Sequence, residues 1–227
     1  MLPQPRRRWA FFPRSIIADY ENPAAHLYRA MARQIATLDD EARFYEERAN
    51  PWLRGMLTTQ GSTPFRTFQD RHPDVSYVTF DPREGHRLAE WLGLVLGTID
   101  IVVVDSAAPP TIVQWIGELT RPRLHTFLLD PDSRLITDTE QAGSVQWYRG
   151  ICTVETDAHR LNVEDYQNLI TFGPSLPELG QNGSATKHVD TTAAFLIEQL
   201  IEVVDSTIVD QHREGSIADD QTDAGRS

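Results

Sequence analysis

With 227 residues the chain is long enough to bury a substantial core and suits one domain, or one domain with a tail. It is 40% hydrophobic and 24% charged, and 33 acidic against 21 basic residues leave a net charge of −12, a field that repels a phosphate backbone and argues against nucleic acid as a partner. Its longest apolar runs, "IDIVVVDSAAPP" and "AAFLIEQLIEVV", fall well short of the roughly 20 residues needed to cross a bilayer.

Three arginines, Arg6 to Arg8, lead into a short aromatic run broken by Pro13 rather than into the apolar core of a signal peptide. The single Cys152 cannot form an internal disulfide. Both features lead us to expect a cytoplasmic protein without a membrane span. Residues 1–7 read as a flexible lead, 8–209 as one domain and 210–227 as a disordered acidic tail. From Glu202 onward seven acids face only Arg213 and Arg226, and "GSIADDQTDAGRS" has almost nothing to bury.

Short apolar runs alternate with segments of helical period, the pattern of a parallel sheet covered by helices. The first predicted strand is "WAFFP" (9 to 13), and a helix follows in which Asn22 is the expected N-cap and Pro23 the first helical residue. Ala24, Leu27, Ala30, Met31 and Ile35 recur there at spacings of three and four. "ARFYEE" (42 to 47) is the second strand. The next helical stretch, Pro51 to Phe68, is interrupted by "QGSTP" and so falls into two pieces. "VSYVTF" (75 to 80) precedes the helix "GHRLAEWLGLVLG", and "IDIVVVDS" (99 to 106) precedes "PPTIVQWIGEL". "LHTFLLD" (124 to 130), "ICTVET" (151 to 156) and "NLITFG" (168 to 173) complete the strands. A last helix, over 190 to 209 with Asp190 as its N-cap, is expected to pack back on the body. The fold class is therefore α/β, a three-layer Rossmann-like domain with a mostly parallel sheet of six or seven strands.

For strand order 3-2-1-4-5-6, ligands enter a crevice at the carboxyl ends of the strands where that order reverses. The turn after the first strand brings Arg14, Ser15, Asp19, Tyr20, Glu21 and Asn22 to it, and the turn after the fourth brings Asp105, Ser106, Pro109 and Pro110. The first turn has no glycine and carries two acids, so we expect no NAD, ATP or adenosylmethionine there, and no cofactor elsewhere. Asp19 and Glu21 either complement the dipole of the first helix or grip a neutral, hydroxyl-rich or cationic ligand. Asp105 ends the most apolar strand and is the candidate general base, with helix capping as its alternative role. His26, four residues past the polar loop, is a second candidate base or an ordinary packing histidine.

Residues 151 to 176, "ICTVETDAHRLNVEDYQNLITFGPSL", read as strand, short helix capped by Thr156 or Asp157, strand and Gly-Pro turn. This resembles the closing segment of the N-terminal, acceptor-side Rossmann domain of GT-B glycosyltransferases, where a strand leads into a "T/S-(D/E)-x-x-R" helix. The front is similar as well: a strand, a polar loop, the helix "AAHLYRAMARQIATL" and then "DDEARFYEE". The resemblance covers roughly residues 8 to 176 and rests on order and spacing. It implies an acceptor-side half, inactive alone, that works with a donor-binding protein partner on a small hydroxyl-bearing acceptor. The donor half is expected to be missing, because 54 residues follow Gly173 and no pair of glutamates separated by seven residues occurs. The competing reading is a non-catalytic Rossmann-like binding or protein-association module.

Asp130-Pro131-Asp132 has the form of the metal-holding DxD motif, but Asp-Pro-Asp is also natural turn chemistry, and 19 aspartates make such triplets common by chance. The seven histidines lack metal-ligand spacing, so no metal site is expected. Cys152 reads as a small buried apolar residue. Trp91, Trp115 and Trp147 read as core. At the end of the second strand, Glu46, Glu47, Arg48 and Asn50 lie beside Trp52, a combination suited to stacking on a sugar, and Glu47 is the ligand-binding candidate among them.

Overall fold

The computed structural model describes residues 6–18, 22, 24–73, 75–84, 86–119, 121, 123–132, 145–154, 168–172 and 188–206. The expected tail at 210–227, the Thr156/Asp157 helix and the loop residues Asp19, Tyr20 and Glu21 lie outside them. Seven strands form one sheet: β1 (Arg8–Phe12), β2 (Glu41–Glu47), β3 (Ser76–Phe80), β4 (Ile101–Asp105), β5 (His125–Asp130), β6 (Gly150–Val154) and β7 (Leu169–Phe172). Their order is β3-β2-β1-β4-β5-β6-β7, and every neighbouring pair is parallel. The described helices are α1 (Ala24–Thr37), α2 (Pro51–Gln60), α3 (Thr63–Arg71), α4 (His86–Val95), α5 (Pro110–Gly117) and α6 (188–206). This is the Rossmann-like three-layer fold that the alternation predicts.

Side-chain parity divides the core. Trp9 and Phe11 of β1 pack with α1, α2, α3 and α6, through Leu27, Met31, Leu53, Phe68 and Leu196 among others. Ala10 and Phe12 point the other way, into a cluster with Leu88 and Leu92 of α4 and Ile112 and Ile116 of α5. The chain thus changes face between β3 and β4. The helix after β1 covers one side of the sheet and the helix after β4 the other, the arrangement that opens a crevice between two strand ends. β4, β5 and β6 are buried at every position, as strands covered on both faces must be. The outer strands β3 and β7 alternate.

Local chemistry explains the breaks. Asn50 caps α2 by accepting from the Leu53 N–H at 2.6 Å, with Pro51 next to it. Gly61 ends α2 at a φ of 62°, a conformation glycine adopts without a Cβ penalty. The interrupted stretch therefore becomes two helices. α6 does pack back on the body, tied by Arg7, whose guanidinium donates to both Asp205 oxygens at 2.9 and 3.0 Å. Arg7, within the lead expected to be flexible, also donates its backbone N–H to Asp40 at 2.8 Å.

Three expectations are corrected. Asp190 lies inside α6 rather than at its N-cap and pairs with Arg33 at 2.6 Å, because the apolar face that begins at Val189 already packs on the core. Trp147 is 52% exposed: its neighbour Tyr148 takes the buried slot against α5, donating its hydroxyl to the Val113 carbonyl at 2.7 Å. Asn22 does not cap α1 with its side chain oxygen. Its amide instead donates to the Ser15 and Ala18 carbonyls at 3.1 and 3.0 Å, which a buried loop must have satisfied.

Candidate functional site at the strand-order reversal

The turn after β1 is held by side chains from three elements. The Ser15 hydroxyl donates to Glu46 Oε1 at 2.6 Å and accepts from the Ala18 N–H at 3.0 Å. The Ile16 N–H donates to Glu46 Oε2 at 3.1 Å. Arg29 of α1 donates to the Ile16 and Ile17 carbonyls, both at 2.8 Å. In a phosphate-binding turn, backbone N–H groups point at the ligand. Here the Glu46 carboxylate and the Ser15 hydroxyl occupy two of those donors, so the turn carries its own anion.

Glu46 is wholly buried and also accepts from the Asn50 amide at 2.7 Å. Burial pushes its carboxyl pKa up, and its hydrogen bonds to Ser15, Ile16 and Asn50 only partly offset this. Burial and the neighbouring Glu46 charge likewise raise the Tyr77 hydroxyl. The sequence reading favoured Glu47 over Glu46. Glu47 is only partly buried, and its carboxyl is raised by that burial and by Asp81. The missed signal was strand parity: Phe44 faces α1 in the larger core cluster, and Glu46 lies two residues on, on the same side of the strand.

The second half of the site is built on Arg14. Its guanidinium grips Asp105 in bidentate fashion, Nε to Oδ2 at 2.9 Å and Nη2 to Oδ1 at 3.0 Å, while Nη1 pairs with Asp132. The guanidinium also lies over the Trp52 ring, 5.8 Å from its centre. Burial pulls the Arg14 pKa down, and the charges and hydrogen bonds of Asp105 and Asp132 more than reverse this, leaving it above its ordinary value. Asp105 is completely buried and accepts two further bonds, from the Tyr28 hydroxyl at 2.8 Å and the Ala107 N–H at 2.7 Å. Burial and then the Asp105 charge raise the Tyr28 hydroxyl well above its usual range.

Asp105 is therefore desolvated, as expected, but its two oxygens already hold four donors. Nor does it cap α5: the N-cap position is Pro109, without a side-chain bond, and Asp105 closes a tighter turn onto Ala107. His26 lies partly buried on α1, and the α1 side chain that reaches Asp105 is Tyr28.

Ser106 is buried and donates to Asp130 Oδ1 at 2.6 Å. Within the Asp130-Pro131-Asp132 triplet, Asp130 thus binds Ser106 while Asp132 binds Arg14. The two carboxylates serve separate partners. Among the described residues no group of three or more His, Cys, Asp or Glu side chains is placed to hold a metal ion. Cys152 is buried in β6, and burial raises its thiol to about 12, far from a nucleophile's range. Arg14, Ser15, Asn22, Asp105 and Ser106 are thus brought together at the reversal point, and Glu46, Tyr28, Asp130 and Asp132 join them.

Fold and site together define a doubly wound, Rossmann-like α/β domain whose turns at the reversal of strand order hold internally paired carboxylates. No protein-family model matches the chain, and no curated protein matches it. Among the described residues no helix is long and apolar enough to cross a membrane.

Proposed function

We propose that the domain binds a small hydroxyl-bearing ligand at the crevice between the ends of β1 and β4, in the manner of an acceptor-side glycosyltransferase half. Sugar transfer then requires a separate donor-binding protein. The observation that carries this reading is the concentration of buried polar side chains at the point where strand order reverses: Arg14, Ser15, Glu46, Asp105, Ser106 and Asp130. Burial of such groups is costly, and clefts at such reversal points are where ligands of this fold class bind.

A phosphate is disfavoured there by the built-in carboxylates. A hydroxyl suits them, because each accepted bond contributes roughly 0.5–1.5 kcal/mol, or up to about 3 where charge assists. Asp132, whose side chain is 39% exposed, is the carboxylate reachable from solvent, and the Trp52 ring beside Arg14 offers a stacking surface. A cytoplasmic location belongs to the same proposal.

The saturation of Asp105 favours a second reading, a non-catalytic association module whose crevice polar groups serve the fold. Saturation-transfer NMR with neutral monosaccharides and polyols separates the two. The ligand reading expects signal transfer to sugars that is lost in Asp132→Ala, with no transfer to NAD or ATP through the first turn. Absence of transfer to every sugar at millimolar concentration overturns it and leaves the association module.

A further inference from the structure

We propose that His125 and Arg149 form an acid-sensitive clamp at the amino ends of β5 and β6, and that protonation of the imidazole releases the β6–β7 edge of the sheet. The two side chains meet across 24 positions of sequence, with Arg149 Nη1 3.2 Å from His125 Nδ1. A guanidinium carries donors only, so Nδ1 accepts and the ring proton sits on Nε2. The partner thus requires a neutral imidazole. His125 is 3% exposed, and a charge formed on it is largely cut off from water.

Charged groups act on the ring from three elements. Arg149, half-buried just ahead of β6, has no carboxylate within ion-pair distance among the described residues, so a protonated His125 would face it as a like charge. Asp100, ahead of β4, and Asp205 of α6 pull the other way. Both aspartates are already engaged: Asp100 accepts the Arg8 N–H at 2.8 Å, and Asp205 accepts from the Arg7 guanidinium at 2.9 and 3.0 Å. Burial first, and then Arg149, prevail over them and hold the imidazole at about 4, below its ordinary 6.5.

Arg149 is also the joint between β5 and β7. Its N–H donates to the Thr126 carbonyl at 2.9 Å, its carbonyl accepts from the Asn168 amide at 3.1 Å, and the Ile151 N–H donates to the Asn168 carbonyl at 2.9 Å. There is no slack beside it: a Cβ at Gly150 would lie 3.0 Å from the Phe127 ring and 3.2 Å from the Asn168 carbonyl oxygen. A displacement of Arg149 is therefore passed to β6 and on to β7, which among the described strands pairs with β6 alone. Once the edge opens and the ring meets water, His125 takes its proton at the ordinary value. The contribution of the clamp is complete above 6.5 and is lost as pH falls from there toward 4.

The test is NMR on the full chain from neutral pH down to about pH 4, reading the ring nitrogen shifts of His125 and amide hydrogen exchange corrected for its intrinsic pH dependence. The expected result is a neutral Nε2–H ring at neutral pH. Protection of the Arg149 and Ile151 amides should fall on the order of tenfold or more by about pH 5, beyond any loss at the amides of β1 and β4. His125→Asn keeps an acceptor near the Nδ1 position and cannot titrate, so its Arg149 and Ile151 amides should lose no more protection than those of β1 and β4. Should that variant fold poorly, Arg149→Gln carries the comparison: with the adjacent cation gone, the His125 pKa should rise toward its ordinary value. A protonated ring or an Nδ1–H tautomer at neutral pH overturns the clamp, as does an unchanged His125 pKa in Arg149→Gln. So does the same acid loss in His125→Asn, or a loss spread evenly over all strands.

Discussion

Two arginines in this protein have opposite surroundings. Arg14, at the strand-end crevice, is 5% exposed and paired on both sides, by Asp105 and Asp132. Arg71, beside a cavity on the α1–α3 face, is exposed and has no ion-pair partner among the described residues. In the crevice the chain supplies its own anions: Glu46 satisfies the first turn and Asp105 satisfies Arg14. Beside the cavity, Arg71 has no described counter-charge and faces solvent. Removing one partner of a buried pair strands the other charge away from water, whereas an exposed charge is compensated by solvent. A residue's type alone does not separate these roles; its partners do.

The largest effect should come from breaking the crevice pair. Asp105→Asn keeps an acceptor for Ala107 but removes the fully buried one of Arg14's two described counter-charges, leaving the part-exposed Asp132, and we expect a loss of about 3 kcal/mol, the lower end for a broken buried pair, in urea unfolding. A loss below about 1 kcal/mol, the range of exposed ion pairs, would show that Arg14 is not held by this pair.

Glu46 sharpens the same side of the comparison through pH. Its folded pKa is raised above the ordinary glutamate value of 4.5, so the folded state binds the proton more tightly than the unfolded chain. Stability gained from that proton is complete below the ordinary value and is lost as pH rises through the raised one. Glu46→Gln cannot titrate. Denaturation midpoints measured against pH should therefore show the wild type losing stability relative to this variant across that window, with a constant difference above it. A difference that stays constant from acid to neutral pH would contradict the buried, desolvated carboxylate.

The smallest effect should be Arg71→Gln, a stability change within about 0.5 kcal/mol. A substantial loss would place Arg71 with Arg14 as a structural cation and erase the contrast between the two regions.

Much of the fold was legible in the residues themselves. "IDIVVVDS" and "LHTFLLD" are apolar runs of strand length, as a doubly covered strand requires, and β4 and β5 lie within them. The break at "QGSTP" was visible because Gly61 and the following residues cannot continue α2 smoothly. Arg14, Ser15, Asp105 and Ser106 were legible as crevice residues because topology fixes which turns meet at the reversal of strand order. Their roles were not legible. Tyr28 reaches Asp105 across 77 residues of sequence, Asp132 reaches Arg14 across 118 and Glu46 reaches Ile16 across 30. No local rule encodes such pairings.

The sequence by itself determined the order and type of elements, since apolar period, capping residues and turn chemistry act over a few neighbouring positions. Only the tertiary structure decided which charges are compensated. It placed Glu46 rather than Glu47 beneath the first turn and turned Asn22 onto loop carbonyls instead of its own helix. It also brought Arg29 and His72, 43 residues apart in sequence, against the same Phe68 ring. The physical reason is that electrostatic and hydrogen-bond partners are chosen by distance in space, and that distance is set only when the sheet brings separate turns together.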